Sequence, residues 1–458
     1  MRTFFIVWSG QLVSTIGSYM TRFAVAILVW ELTQEVTAIA LIGFFTQIPS
    51  LLVIPLAGGL VDRSDRKFLI ALADLVAGFS TIALLFLYLT DHLQIWHFYA
   101  AGMVNGAFGQ IQRLAYTASI TVIVPPAQYA RASGMGSVVH YGSAIIAPAL
   151  AGVLYGVIGL VGIWLIDLGT FVYAFITLVG VTIPNPKKQA QKSARRLEII
   201  SIPLDGTPPS KARAISASIK IKMESVWQDL NFGIGYVRNS PSLLALLIIN
   251  TLFQFAHDLG ASLYSPMILA RTGNNAKALG NISSAAGLGG VLGAAIASIW
   301  SGSQRKISKI KIVLLGMIGA GVSKTVFGLG QSLWTWMPAQ FCSSINFPLM
   351  NASKQAILLN KVEPDVQGRI FALSFLLTGI TAPIGRLLAG YLADRILEPA
   401  MQPGGTLAGI LGIFFGTNEG AGIALLYVFS SVCLILIGLA GHTFASLRNI
   451  ETLIPNRK

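Results

Sequence analysis

Only 11% of this 458-residue sequence is charged, against 54% hydrophobic, so the charges that stand inside its long apolar runs carry most of the information. Asp74, Arg113, His257, Asp258, Lys324, Lys354 and Arg386 all do. A charge in hydrocarbon costs a few kcal/mol, on the order of 3 at the centre of a span, so such residues pair, line a wet path or carry a proton. Asp258 beside His257 offers two groups able to take up and release a proton. Arg22, in the outer part of the first apolar run, is the cation expected to latch Asp258 and to make that acid a coupling residue. Asp74 and Arg113 are expected at similar depth on antiparallel neighbours, forming an intramembrane charge pair that is mainly structural. Lys354 is near enough to an end to reach water, and the sequence names no partner for Lys324 or Arg386.

Neutral polar residues add a second pattern. Gln11, Ser14 and Ser18 recur at steps of three and four, on one helix face. Asn250, Gln254, His257 and Asp258 form another such face. Opposed across a central cavity, these faces would put a few polar groups among carbon, a lining suited to an amphipathic or apolar small molecule; a polar stripe also serves simply to satisfy neighbouring helices. No phosphate-cradling loop, metal-ligand cluster or nucleophile–base–acid set occurs in the sequence, so neither enzymatic turnover, a metal nor a bound cofactor is expected. Cys342 and Cys433 lie in apolar segments, which argues against a disulfide framework or a metal site.

The elements that must position these groups are membrane spans. A span needs about 20 apolar residues, and twelve segments qualify: 4–31, 37–58, 68–90, 94–118, 132–157 and 162–183, then 241–270, 279–300, 309–331, 334–359, 369–393 and 421–446. The fold class is all-α integral membrane, in two pseudo-symmetric six-helix halves. The domains read as an N-terminal half 1–183, a cytoplasmic linker 184–238 and a C-terminal half 239–458. The linker carries nine Lys/Arg between Lys187 and Lys222. It ends in Val226, Trp227, Leu230, Ile234 and Val237, one face of an expected interfacial helix. The first apolar run is too long for a signal-peptide core and reads as an uncleaved span. Net charge is +14, but apart from the charges within spans the bases crowd one side, with Arg271, Lys277 and Arg395 on the other. That asymmetry argues for a multi-pass plasma (inner) membrane protein with both termini cytoplasmic, not for a nucleic-acid partner.

The charged turn between the second and third spans reads Gly58-Gly59-Leu60-Val61-Asp62-Arg63-Ser64-Asp65-Arg66-Lys67. Its glycines permit close approach of helix ends, its bases hold it in the cytoplasm, and Asp62 is placed to cap a neighbouring helix N-terminus. This turn resembles the G-x-L-a-D-r-x-G-r-k loop of the major facilitator superfamily, with Asp65 where that motif has Gly. Gly58, Asp62, Arg63, Arg66 and Lys67 are thereby marked as gating residues, with Asp62 expected to lock the start of the eleventh helix near Gly368. Gln11, Thr33, Arg66 and Lys67 recur at one constant offset as Asn250, Thr272, Arg305 and Lys306, in keeping with the parallel repeats of that superfamily. Ser301-Gly302-Ser303-Gln304-Arg305-Lys306 keeps the bases of the turn without its acid.

Phe4-Phe5-Ile6-Val7-Trp8-Ser9-Gly10-Gln11 with Ile16-Gly17-Ser18, Val124-Pro125 and Arg131-Ala132 resemble macrolide-efflux-type drug:proton antiporters. Gly134, Ser143, Ala147-Pro148 and Ala151-Gly152 are similar to the antiporter motif G-x8-G-x3-G-P-x2-G-G; Gly134, Pro148 and Gly152 match it, and three of its glycines are replaced by other small residues. His140 and Tyr141 share that helix and are candidates for the same cavity or for packing. The long last loop, from Glu398-Pro399 through Pro403-Gly404-Gly405 to Gly416-Thr417, resembles exporters found beside peptide-natural-product biosynthesis. The resemblance implies a monomeric secondary active exporter of an amphipathic small molecule such as a drug, macrolide, siderophore or peptide natural product, driven by a proton gradient through alternating access. An importer of the same fold and a non-transporting membrane receptor or scaffold are the alternatives.

Overall fold

The structure, a computed structural model, describes residues 2–125, 128–182, 231–302, 308–448 and 450–453. Among them there are helices and no strands. Apolar runs long enough to cross a bilayer leave the backbone no partner but itself, which selects the helix. The first four helices are α1 (Arg2–Thr33), α2 (Val36–Arg63), α3 (Arg66–Leu89) and α4 (Ile95–Ile123). Helical residues Tyr129–Val179 break at Gly159, whose φ of 64° no ordinary helical residue adopts; the two parts are α5 (129–158) and α6 (160–179). In the second half come α7 (Pro241–Thr272), α8 (Ala276–Gly302), α9 (Lys309–Leu329), α10 (Leu333–Lys361), α11 (Pro364–Leu392) and α12 (Ala421–Thr443). These are the twelve expected helices among the described residues. α11 outruns its expected end, continuing through a π turn, Ala393–Leu397, and a last turn, Glu398–Met401. Nine described stretches are long and apolar enough by composition alone to cross a membrane; α4, with three amide side chains and Arg113, and α10, with five amide side chains, Lys354 and Lys361, are more polar.

By its contacts the chain forms two compact units. One holds 1–15, 45–139 and 168–231; the other holds 16–44, 140–167 and 232–458. The six-helix halves rest instead on the sequence repeat and remain a proposal. Within the first unit, Val7, Val61, Leu69, Ile70, Ala115, Leu178 and Val181 make one core and Phe4, Val124 and Ala132 a smaller one. The second unit is built on Ile27, Trp30, Val36, Leu263, Met267, Phe327, Trp336 and Tyr427, all buried. In it α9 packs on α10 and α12, α8 on α10, and α7 on α11 and α12. The outward faces are apolar too: Phe79, Ile82 and Phe86 stand exposed along one side of α3, the pattern of a lipid-facing stripe and not of a water-soluble surface.

Linker residues 184–230, with Val226, Trp227 and Leu230, lie outside the described residues. Of the expected interfacial face only the end is visible, in a helix over 231–238. There Val237 is buried and Ile234 exposed, while Phe232 lies beneath the Arg369 guanidinium at 4.7 Å.

Arg271 explains one of the few bases on the sparsely charged side. It closes α7, and its Nη1 donates to the carbonyls of Gly328 (3.3 Å) and Gly330 (2.8 Å) while its Nη2 donates to that of Phe415 (2.9 Å). These carbonyls lie at the C-terminal ends of α9 and of the short helix Ala408–Phe415, which one forked cation joins. Replacing Arg271 by Met removes charged hydrogen bonds of about 1.5–3 kcal/mol. The variant is expected to melt several degrees lower in detergent, read by fluorescence-detected size exclusion, with Arg271→Lys recovering only part of the loss.

Candidate functional site

In the first unit, the Asp65 carboxylate Oδ1 accepts from the amides of Lys67 (2.9 Å) and Phe68 (3.3 Å). The departure from the glycine of the motif is therefore an N-cap that starts α3. The bases that follow bond carbonyls toward helix C-termini instead. Arg66 donates to Ala118 O at 2.6 Å, between one and two turns before the end of α4, and Lys67 donates to Val179 O and Val181 O at 2.9 and 2.7 Å, at the end of α6. Cations near a helix C-terminus complement the dipole, so these two residues bind three helices of the unit together. The side chains of Asp62 and Arg63, and Gly58, lie outside the described residues.

Asp74 is buried, but it does not pair with Arg113. Its Oδ1 accepts from Gln112 Nε2 at 2.5 Å, and Gln11 of α1 is close enough to interact with the same carboxyl. Arg113 is exposed and donates to Gln110 Oε1 at 2.6 Å, a group that also receives Ser50. Successive helical residues point about 100° apart. Depth was expected correctly; direction was not, and the residue before the arginine faces the acid.

The polar face of α1 is divided. Gln11 and Ser14 belong to the first unit and Ser18 to the second. Ser18 donates to the buried Asp167 of α6 at 3.4 Å. In the second unit Asn250 Oδ1 accepts from Lys354 Nζ at 3.1 Å, which gives that lysine an intramembrane partner. His257 packs at a tilt against Phe347, with ring centroids 4.6 Å apart and planes at 44°, and lies nearly parallel to the Phe253 ring at 6.5 Å. The side chains of His140 and Tyr141 lie outside the described residues, as does Gly134.

Four side chains act on Asp258, and the sequence named none of them as its partner. Thr381 Oγ1 donates to its Oδ2 at 2.7 Å and Gln254 Nε2 to its Oδ1 at 2.9 Å. Arg386 of α11 and Lys324 of α9 are the cations that act on it through space. α11 comes close because it has no side chain at Gly385, where an added Cβ would stand 3.1 Å from Leu259 N and 3.4 Å from the Asp258 Cβ. Arg386 also donates to the Gly43 carbonyl of α2 at 2.9 Å. Lys324 lies 5.3 Å from the centre of the Tyr427 ring. Arg22 takes no part in this group. It is exposed, lies 4.1 Å over the ring of Tyr19 and donates to Ser18 O, so the expected Arg22–Asp258 latch is absent. Its long side chain folds back one turn on its own helix, while Asp258 faces α11.

The antiporter-like residues form a helix crossing. A Cβ at Gly152 would meet Ala276 O at 2.8 Å and Gly280 Cα at 3.1 Å; one at Gly280 would meet Pro148 O at 2.6 Å. Ser143, Ala147 and Ala151 are buried beside them, and Ser284 donates to Ile145 O at 3.3 Å. Small residues thus bring the α5 and α8 backbones into contact.

Among acids visible in outline from the sequence, Asp394 was missed. Its Oδ1 accepts from Val36 N at 3.0 Å and its Oδ2 from Thr37 N at 2.7 Å, the first amides of α2. Glu398 does the same for α12, accepting from Gly420 N and Ile423 N, and Glu451 for α9 through Ile310 N.

The Asp74 geometry yields a direct test. Gln112→Leu leaves a buried carboxyl without its donor, at a cost of about 1–3 kcal/mol. It is expected to lower the melting temperature and the yield of monodisperse protein. Arg113→Gln, at an exposed position, is expected to stay within about 0.5 kcal/mol of wild type.

A family model described as Major Facilitator Superfamily matches residues 7–385. Macrolide efflux protein A of Streptococcus pyogenes is 26% identical over 398 residues, 86% of this chain and 90% of that protein. The uncharacterised MFS-type transporter YfiS of Bacillus subtilis is 22% identical over 441 residues, covering 94% and 90%. In fold, the chain is similar to a bacterial homologue of the iron transporter ferroportin in an inward-facing state, with TM-score 0.66 at 13% identity over 98% of this chain and 99% of the other. A POT family transporter in complex with 5-aminolevulinic acid gives TM-score 0.66 at 12% identity, over 98% and 97%. Twelve long helices among the described residues, most of them apolar enough to span a membrane, an internal repeat, the charged α2–α3 turn and a family match across most of the sequence agree: the chain is a multi-pass membrane transporter that belongs to the major facilitator superfamily.

Proposed function

We propose that this transporter is a proton-coupled exporter of amphipathic small molecules, of the macrolide, siderophore or lipopeptide kind, working by alternating access. The observation that carries the reading is the likeness to macrolide efflux proteins along 86% of the chain. The buried acid Asp258, held by neutral donors beside two cations, supplies a group able to couple movement to protons. In this reading the base-rich ends face the cytoplasm, both termini lie there, and the protein works as a monomer in the plasma (inner) membrane. No resident cofactor takes part; the energy source is the proton gradient.

A proton reaching Asp258 cancels the negative charge that Arg386 and Lys324 sense. Arg386 is also bonded to the α2 carbonyl of Gly43, so the change is felt on a helix of the other sequence half. Opening toward the outside then exchanges substrate for proton, and deprotonation toward the cytoplasm restores the ionic group. Coupling so arranged needs the acid and its cations on different helices, and α7, α9 and α11 provide them.

Everted vesicles with an acidic lumen test this. Wild type is expected to accumulate a macrolide, siderophore or lipopeptide probe, and to lose that accumulation when the gradient is collapsed. Asp258→Asn is expected to bind the probe yet lose gradient-driven accumulation by at least about tenfold, a difference of about 1.4 kcal/mol. Wild-type accumulation and pH dependence in the variant would exclude Asp258 as the coupling acid. Gradient-driven release of a metabolite from the vesicles would instead mark an importer.

A further inference from the structure

The signature of the α2–α3 turn occurs a second time. Gly58-Gly59-Leu60-Val61-Asp62-Arg63 ends α2, and Gly390-Tyr391-Leu392-Ala393-Asp394-Arg395 ends the regular part of α11: both read G-x-L-x-D-R. This second copy does not lie where the internal repeat puts it, which is the α8–α9 turn, where the acid is missing. It lies on another helix and at the opposite face, since α2 and α11 are both single spans and the α1–α2 turn lies one span away from the α2–α3 turn.

In the second copy each signature residue has a visible task. An added Cβ at Gly390 would stand 2.7 Å from Thr37 Cα, 2.9 Å from its Oγ1 and 3.1 Å from its amide. Only a glycine lets the start of α2 lie against α11 this closely. Two residues on, Leu392 packs against the core cluster that contains Val36, Ala389 and Ala393, all three buried. Asp394 then takes the first two amides of α2 with its two oxygens, a doubled, charge-assisted cap on the positive end of a helix. The π turn over Ala393–Leu397 begins here; the wider turn re-aims the side chains that follow Leu392, a use often seen at functional positions. Arg395 reaches Glu35 at 3.9 Å with both side chains well exposed, which adds little by itself. On the other side, Gln34 has φ 53°, so the chain turns sharply and presents the Val36 and Thr37 amides. Glu398 and Glu451 cap helices within their own half of the sequence. Asp394 joins a helix of the first half to one of the second, across a contact that alternating access has to break.

We propose that Asp394 is a positioning residue of the transport cycle: its bond to the start of α2 holds the face bearing the α1–α2 turn closed, as the counterpart of the Asp62 turn at the other face. α2 and α11 then carry one G-x-L-x-D-R signature each at their C-terminal ends, the two copies at opposite faces and acting in opposite states, with the Asp394 copy on the start of α2. The proposal rests on the alternating-access reading above, and goes beyond it in assigning the second latch.

Full-length protein with Cys342→Ser and Cys433→Ser, spin-labelled at Leu32→Cys and Ile413→Cys, both exposed positions of the second unit, tests it in proteoliposomes by double electron–electron resonance. Asp394→Ala is expected to lower the ratio of short to long distances about five- to tenfold, the loss of one strong cap. Asp394→Glu recovers part of it, and Gly390→Leu shifts it the same way with the carboxylate intact. Asp62→Asn is expected to shift the ratio in the opposite direction, which general destabilisation does not do. An unchanged ratio in Asp394→Ala, or shifts of one sign for Asp394→Ala and Asp62→Asn, overturns the proposal. Should Asp394→Ala not yield monodisperse protein, Asp394→Asn, with a single acceptor oxygen, is judged by the same criterion. The distances report conformation without substrate, so opposite shifts in a protein that exports nothing would leave the latch standing and remove the export reading.

Discussion

Every helix ends in amides or carbonyls that it cannot satisfy itself, and a side chain that answers them ties that end to another element. Much of this structure follows from how the scarce charges answer that demand. Carboxylates sit on helix N-termini: Asp65 on α3, Asp394 on α2, Glu398 on α12, Glu451 on α9. Cations sit on carbonyls at or near C-termini: Arg66 on α4, Lys67 on α6, Arg271 on α9. Lys361, at the end of α10, bonds the Glu451 carbonyl in the same fashion. Charge on a helix end is stabilised by the dipole and by directional hydrogen bonds at once. These contacts therefore fix how helices meet, while the apolar faces fix only that they meet.

The same rule sets the charges in mid-span apart. Asp258, Lys324 and Arg386 lie away from helix ends, and each answers to another charged or polar side chain on a different helix. Such a group is sensitive to small rotations of α7, α9 and α11 against one another, because no backbone terminus anchors it. Around Asp74 the solution is different: its donor is a neutral amide from α4, an arrangement that holds two neighbouring helices without an ion pair.

Sequence made the spans legible because hydropathy and length are properties of single segments. Charges could be placed by depth on the same grounds, and Asp74 and Arg113 do lie on neighbouring helices. Which way a side chain points around its helix depends on packing, and there the reading failed by one residue: Gln112, not Arg113, faces Asp74. Arg22 and Asp258 failed similarly, since the aromatic ring of Tyr19 one turn away competes for the guanidinium. The departure at Asp65 was visible but its use was not, because a cap is recognised only when the helix start is known. Asp394 was hidden by its neighbour. Arg395 was read as a stray base on the sparsely charged side, while the spacing from Gly390 that gives the acid its meaning went unread. The signal lies in the sequence itself, as the recurrence of G-x-L-x-D-R away from the repeat position.

One further feature concerns the lipid and not the transport path. Glu398 ties the end of α11 to the start of α12, and Arg271 ties Phe415 to the end of α9, so the short helix Ala408–Phe415 between them is held at both sides. Its Ile410, Ile413 and Phe414 are exposed. A short apolar helix fixed in this way mounts an exposed carbon surface on the second unit. Where such a surface meets lipid, hydrophobic mismatch bears directly on the helices it is tied to, α11 and α12, apart from any substrate or proton.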